Sequence, residues 1–256
     1  MKKPTPAPEP PESHLQSIAS LCTTLVTCLF ALTFVFQNFA IPSASMASTL
    51  LVGDHVVVDR ASLAPPATGP HIIPYRPLRR GEPVVFFKPV LEPDGTNLIL
   101  VKRVIGLPGD RIHLRNGIVY LNGVAQHEPY AAQPTAANWD AYRDDFPLMP
   151  PERVPGVTPM WALDLPTHVQ GDDIVVPPDS YFVMGDNRTH SNDGRYWGFV
   201  ERKNLIGRPL FIYWSFKTPD DQIDKTSLPD QISFALHQAT HFVSDTRWRR
   251  TFQIVR

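Results

Sequence analysis

Leu98-Ile99-Leu100-Val101-Lys102-Arg103-Val104-Ile105 is an aliphatic run of strand length with a lysine at its centre, and it runs into the turn signal Gly106-Leu107-Pro108-Gly109-Asp110. In a strand, alternate side chains share a face, so Leu98, Leu100, Lys102 and Val104 fall on one side and Ile99, Val101, Arg103 and Ile105 on the other. Strand-type runs recur on both sides of it. His55–Val58, Pro83–Phe87, Asp173–Val176, Tyr181–Met184 and Leu210–Trp214 are rich in β-branched and aromatic residues. Ile112–Leu121 carries Asn116-Gly117 between short apolar stretches, the strongest hairpin signal in the chain. The pattern predicts a mainly β, mostly antiparallel fold.

The amino-terminal part reads differently. Residues 1–13 are polar and rich in proline, which predicts a disordered tail. Ile18 to Phe36 then contains no charged residue, and as a helix it would rise about 28 Å, close to the hydrocarbon thickness of a bilayer. A cleaved signal segment would also be apolar, but this run is longer than a typical signal core. A retained membrane span is therefore expected, with Lys2 and Lys3 favouring an amino end inside. Both cysteines, Cys22 and Cys28, lie within the run, six positions apart, so an internal disulfide is implausible and a cysteine-based zinc site or thiol protease is excluded elsewhere. A net charge of −1 gives no strong attraction to nucleic acid. Twenty-eight prolines in 256 residues favour irregular loops, concentrated at 61–81 and about 124–172. A helix is expected over Leu228–Val243, followed by the basic-aromatic stretch Arg247-Trp248-Arg249-Arg250.

Three segments could carry chemistry. Lys102, set among aliphatic neighbours, would lose solvation, and desolvation disfavours an ammonium and lowers its pKa. A lysine base needs that, because an unperturbed amine is protonated at neutral pH. On this stretch alone, a lysine snorkelling from an edge strand is the plainer reading. Ser45 lies in Ile41-Pro42-Ser43-Ala44-Ser45-Met46, just past the apolar run, where a serine-rich capped turn is equally ordinary. The third segment is Gly185-Asp186-Asn187-Arg188-Thr189-His190-Ser191-Asn192-Asp193-Gly194-Arg195-Tyr196-Trp197-Gly198, whose opening Gly185-Asp186-Asn187 by itself reads as an ordinary turn. His237 and His241 have helical spacing but no intervening acid for a zinc-protease pattern, and no Gly-x-Ser-x-Gly elbow occurs.

In this order and combination the three segments resemble the bacterial type I signal peptidases, membrane-anchored Ser/Lys proteases. The resemblance covers the span and most of residues 37–114 and 173–214. It implies a coiled antiparallel β-sheet catalytic domain anchored by one amino-terminal transmembrane helix. Its expected organisation is a cytoplasmic tail at 1–13, the span at 14–38, a catalytic domain at 39–216 and a carboxyl-terminal extension at 217–256. By resemblance Ser45 is the nucleophile and Lys102 the general base. Ser43 helps bind the oxyanion, Ser191 orients the lysine amine by a hydrogen bond, and Asp193 with Arg195 forms a supporting ion pair. Ile41, Met46, Leu100 and Val101 are implied walls of the substrate pocket. No metal or cofactor is implied. The implied partners are signal peptides of exported preproteins and the lipid bilayer, and the implied location is the plasma membrane with the catalytic domain outside the cytoplasm. Two departures stand out: Ala44 where glycine is common, and Ser48 where proline is common. A self-cleaving Ser/Lys repressor would need a DNA-binding domain where the apolar run lies, and an inactive membrane scaffold would be expected to lose Ser45 or Lys102.

Overall fold

The computed structural model describes residues 14–63, 75–219, 221–222, 225 and 227–256. The tail expected at 1–13 and the middle of the 61–81 insertion lie outside the described residues. Strands follow in chain order as β1 (Phe36–Ala40), β2 (Asp54–Asp59), β3 (Pro83–Phe87), β4 (Ile99–Gly106), β5 (Arg111–Arg115), β6 (Ile118–Leu121), β7 (Val124–Ala125), β8 (Val169–Gln170), β9 (Asp173–Val175), β10 (Ser180–Met184), β11 (Val200–Glu201) and β12 (Leu205–Ser215). Helices are α1 (His14–Phe30), α2 (Ala141–Asp144), α3 (Pro159–His168), α4 (Gly194–Trp197), α5 (Leu228–Thr240) and α6 (Phe242–Asp245).

The strands form two antiparallel sheets, one of seven in the order β1-β2-β12-β3-β4-β10-β11 and one of five in the order β7-β6-β5-β9-β8. β12 is longer than the Leu210–Trp214 run suggests, because its register shifts let it pair with β3 at Leu205–Gly207 and with β2 from Arg208 to Ser215. Such bulges bend and twist a strand, which curls the sheet. The β5–β6 turn is the expected one: Asn116 and Gly117 both have positive φ, at 51° and 78°. The proline-rich stretch 124–172 is not structureless. It contributes β7, α2, α3 and β8, and Tyr142 of α2, Phe146 just beyond it, and Trp161 and Leu165 of α3 pack into a core with Ile112, Leu114, Ile174 and Phe182.

Two expectations need correction. The helix expected over 14–38 ends as an α-helix at Phe30, winds through a π-turn at Ala31–Val35, and gives way to β1. Residues 36–40 leave it because Phe36–Ala40 pair in register with Asp59–His55 of β2. Among the described residues no helix is long and apolar enough to cross a membrane. The carboxyl-terminal helix breaks at His241 into α5 and α6. Beyond α6 the chain docks on the domain: Phe252 N–H donates to Ile212 O, Ile212 N–H to Gln253 O and Val255 N–H to Leu210 O along the free edge of β12.

Candidate active site

β4 crosses the centre of the larger sheet, and its two faces are the two the sequence assigns. Val104 and Leu100 pack with Val84, Tyr181 and Val183, whereas Val101 packs with Ile41, Met46 and Val56. Lys102 lies opposite Val84 of β3 and is 3% exposed. Desolvation pushes its pKa from 10.5 down to about 8. Asp193 and Asp186 oppose the shift, and Arg195 adds to it. Each of the two acids is itself engaged by an arginine. Asp193 receives Arg195 Nε at 2.9 Å and Nη2 at 2.8 Å, with both side chains fully buried. Burial alone would raise the Asp193 pKa, but Arg195 and the Gly185 N–H hold it below the ordinary carboxylate value. Asp186 receives Arg103 Nε at 2.7 Å and Nη2 at 2.6 Å.

Ser45 sits in a 3₁₀ turn, Ala44–Met46, at the start of a loop closed at its base by Ile41 N–H to Asp54 O (2.8 Å) and Gly53 N–H to Ile41 O (3.0 Å). The third segment holds this turn directly. Asn187 donates its backbone N–H to Ser45 O at 3.1 Å and its side-chain amide to Ala44 O at 3.3 Å. Thr49 donates to Asp186 at 2.5 Å and accepts from Arg103 Nη2 at 3.0 Å. A side chain at Gly185 would overlap both Ser191 and the Ser45 carbonyl, so glycine lets the segments close together. Ser48 has φ of 90° and is held there by its hydroxyl bond to Tyr130 O at 2.8 Å. Proline cannot adopt that φ. Tyr130 itself stacks on Arg103, and the neighbouring Glu128 takes both Nη groups of Arg188.

The expected site residues fall as follows. Ser43 Oγ and Ser45 Oγ are 3.3 Å apart, so the Ser45 hydroxyl is bonded to Ser43 rather than to Lys102. Ser191 is buried and brought against Gly185, but its Oγ has no hydrogen-bond partner. The bond implied between Ser191 and the Lys102 amine is therefore not made, because the packing against Gly185 sets the hydroxyl's position. Ile41, Leu100 and Val101 line a groove of about 50 Å³ together with Ser43, Ser45, Phe39, Val56, Val85 and Ile99. Met46 does not line it: the side chain is 0% exposed and sits beneath the turn among Leu50, Val56 and Val58. Arg103, Asp186, Asn187 and Thr49 went unread in the sequence. The one available signal was Arg103 itself, since an arginine alternating with Val101 and Ile105 on a buried face requires a counter-ion. No group of acids, histidines and cysteines that could hold a metal occurs among the described residues.

Residues 14–214 match the model of the family described as signal peptidase, peptidase S26. The chain is 32% identical over 213 residues to the probable signal peptidase I-1 of Synechocystis sp., an alignment covering 82% of this chain and 87% of the relative. It is 36% identical over 185 residues to signal peptidase I of Bacillus caldolyticus, covering 72% and 82% of the two chains. With signal peptidase I of Aquifex aeolicus it shares 31% identity over 256 aligned positions, covering 86% and 93%. A crystal structure of a signal peptidase I from Enterococcus faecalis aligns at 30% identity over 52% of this chain and 97% of that one, with a TM-score of 0.37. The chain belongs to the signal peptidases of the S26 family, and it is a protease that removes signal peptides.

Proposed function

We propose that Ser45 and Lys102 form the catalytic dyad of this peptidase, and that the protein works at a membrane surface to which its amino-terminal helix anchors it. The observation that carries the dyad is the burial of Lys102, which brings a lysine amine to a pKa of about 8 with its two acidic neighbours already engaged by arginines. In its neutral form the amine takes the Ser45 proton as Oγ bonds to the scissile carbonyl carbon. The Ser43 hydroxyl and the Ser45 N–H stabilise the oxyanion. As the C–N bond breaks, the lysine ammonium returns its proton to the leaving amine. Neutral again, it deprotonates a water that releases the signal peptide from Ser45 as a carboxylate. Ser45 must turn from Ser43 toward Lys102 for the first step, an adjustment common between free and substrate-bound proteases. Asp193 and Arg195 support the site without entering the reaction. Ser191, buried with its hydroxyl unpaired, would have to shift from its packing against Gly185 to orient the amine.

Substrate would lie along β4. Ile99–Val101 are bonded to β3 on one edge, and β10 pairs with β4 only from Arg103 onward, so the other edge is open to an extended peptide. The small aliphatic groove beside Ser45 suits small side chains before the cut. For the anchor, Leu15, Ile18, Leu21, Leu25, Val26, Leu29 and Phe30 of α1 are all more than half exposed. Thr23, Thr24 and Thr27 turn their hydroxyls back onto carbonyls one turn earlier, which hides their polarity. With the π-turn it runs into, this helix suits a single span with its carboxyl end at the outer surface.

Cleavage of a preprotein by the purified protein tests the dyad. Ser45→Ala and Lys102→Met should each abolish cleavage, and the double variant should be no worse than either, because the two residues act as one unit. Processing at near the wild-type rate by either single variant would show that the dyad is misassigned.

A further inference from the structure

Asp54 is a fully buried carboxylate eight residues after the last position of the nucleophile turn, and the groups that neutralise it come from the carboxyl-terminal end of the chain. Arg250 reaches it with Nε at 3.2 Å and Nη2 at 2.5 Å. Arg247 Nη1 stands 3.6 Å from Oδ1, the oxygen that Arg250 Nε also reaches. Neither arginine lies in the stretch that matches the family, which ends at residue 214. The same two arginines also hold backbone of the Ser45 loop: Arg250 Nη2 donates to Thr49 O at 2.9 Å, and both Nη groups of Arg247 donate to Val52 O at 3.0 Å. Asp54 in turn accepts from Leu51 N–H at 2.8 Å and from Ser215 Oγ at 2.6 Å. Further along, Arg256 O accepts from Arg103 Nη2 at 3.2 Å, the guanidinium that also touches Thr49 and Asp186. Thr49 is thus gripped twice, through its hydroxyl by Asp186 and Arg103 and through its carbonyl by Arg250. Its own N–H, and that of Leu50, bond to Met46 O, next to the nucleophile.

We propose that the segment Arg247–Arg256 is a positioning element of the catalytic site, with Arg250 setting the Ser45 turn through Thr49 and Asp54. The proposal rests on Ser45 as the nucleophile. A buried carboxylate needs a counter-charge wherever it comes from. What goes beyond neutralisation is the bond geometry: one planar guanidinium spans the Asp54 carboxylate and the Thr49 carbonyl, a reach that a lysine ammonium lacks. Arg250 touches neither Lys102 nor the groove, so its loss should misplace Ser45 without changing substrate binding or the titration of the base.

The test uses the full-length protein in detergent or lipid vesicles cleaving a preprotein, with thermal melting followed in parallel. Removing Arg250 alone would strand the Asp54 charge, so the main variant is the pair Asp54→Asn with Arg250→Met, which removes both charges. The expected result is melting within a few degrees of wild type, kcat reduced roughly ten- to a hundredfold, KM changed less than about twofold and an unshifted pH profile. Arg250→Lys, which keeps a charge beside Asp54, should fold and show kcat between the two; it carries the test if the double variant does not fold. A folded variant of either kind with kcat within about twofold of wild type would overturn the proposal, as would a loss confined to KM. Ser45→Ala run alongside separates the two readings. If it is inactive while the Arg250 variants are fully active, only the positioning role falls. If it cleaves at the wild-type rate, the nucleophile assignment falls and this proposal with it.

Discussion

Burying Lys102 to 3% exposure lowers its pKa from 10.5 to about 8, and the unfolded chain shares none of that shift. Between those two values the unfolded state binds a proton that the folded state does not, so stability rises with pH across the window. Below about 8 the folded protein carries the whole penalty of the shift, about 3 kcal/mol. Lys102→Met, similar in volume and uncharged, should therefore be more stable than wild type at pH 7 by up to about that amount. The gain should shrink toward zero near pH 10.5, as read from denaturant midpoints at the two pH values. Equal stability at pH 7 would mean the wild-type amine is solvated. Activity has the same origin and should rise with pH through about 8 as the amine loses its proton. The lysine's setting was legible because strand alternation needs only local sequence. The Ser191 hydroxyl was not, because its position depends on Gly185, six residues earlier in the chain, and on the Ser45 carbonyl beyond it.

At the level of elements, the strands with β-branched cores and the Asn116-Gly117 hairpin were readable, since each declares itself within a few residues. Where α1 gives way to β1 was not: Phe36-Gln37-Asn38-Phe39-Ala40 follows the apolar run with no strand alternation of its own, and only β2 in register turns it into strand. The segment Gln126–Ala132 likewise has no periodicity, yet the Glu128–Arg188 pair and the Ala132–Asn187 bridge bind it to the third catalytic segment. One tight approach between elements is at Gly185, just past the end of β10, where Ser191 and the Ser45 carbonyl leave no room for a methyl group. Gly185→Ala should push the nucleophile turn away from the third segment and lower kcat by roughly tenfold or more, since small misplacements near a reacting group are costly. Single-turnover cleavage of a preprotein checks it, and an unchanged rate would show that the turn tolerates the displacement.

Taken as a whole, the molecule joins an exposed apolar helix to a curled β domain whose groove opens at Phe39, three residues after β1 begins at Phe36. That arrangement should make it an integral membrane protein. Carbonate washing should leave it in the membrane fraction, and protease added to spheroplasts should digest the domain beyond β1 while sparing residues before α1. Release by carbonate, or protection of the domain in intact spheroplasts, would contradict the anchored topology. The three segments of the proposed site could be picked out in the sequence because each has its own motif. Their convergence could not, because it depends on contacts between distant positions. Thr49 bonds to Asp186 across 137 residues and to Arg250 across 201. A growing chain emerges amino end first and forms such contacts late. The turn bearing Ser45 is among the earliest parts of the domain to be synthesised, and its contact with Arg250 cannot form until residue 250 has been made, so on the proposed assignment a nascent copy carries an unarmed nucleophile until then.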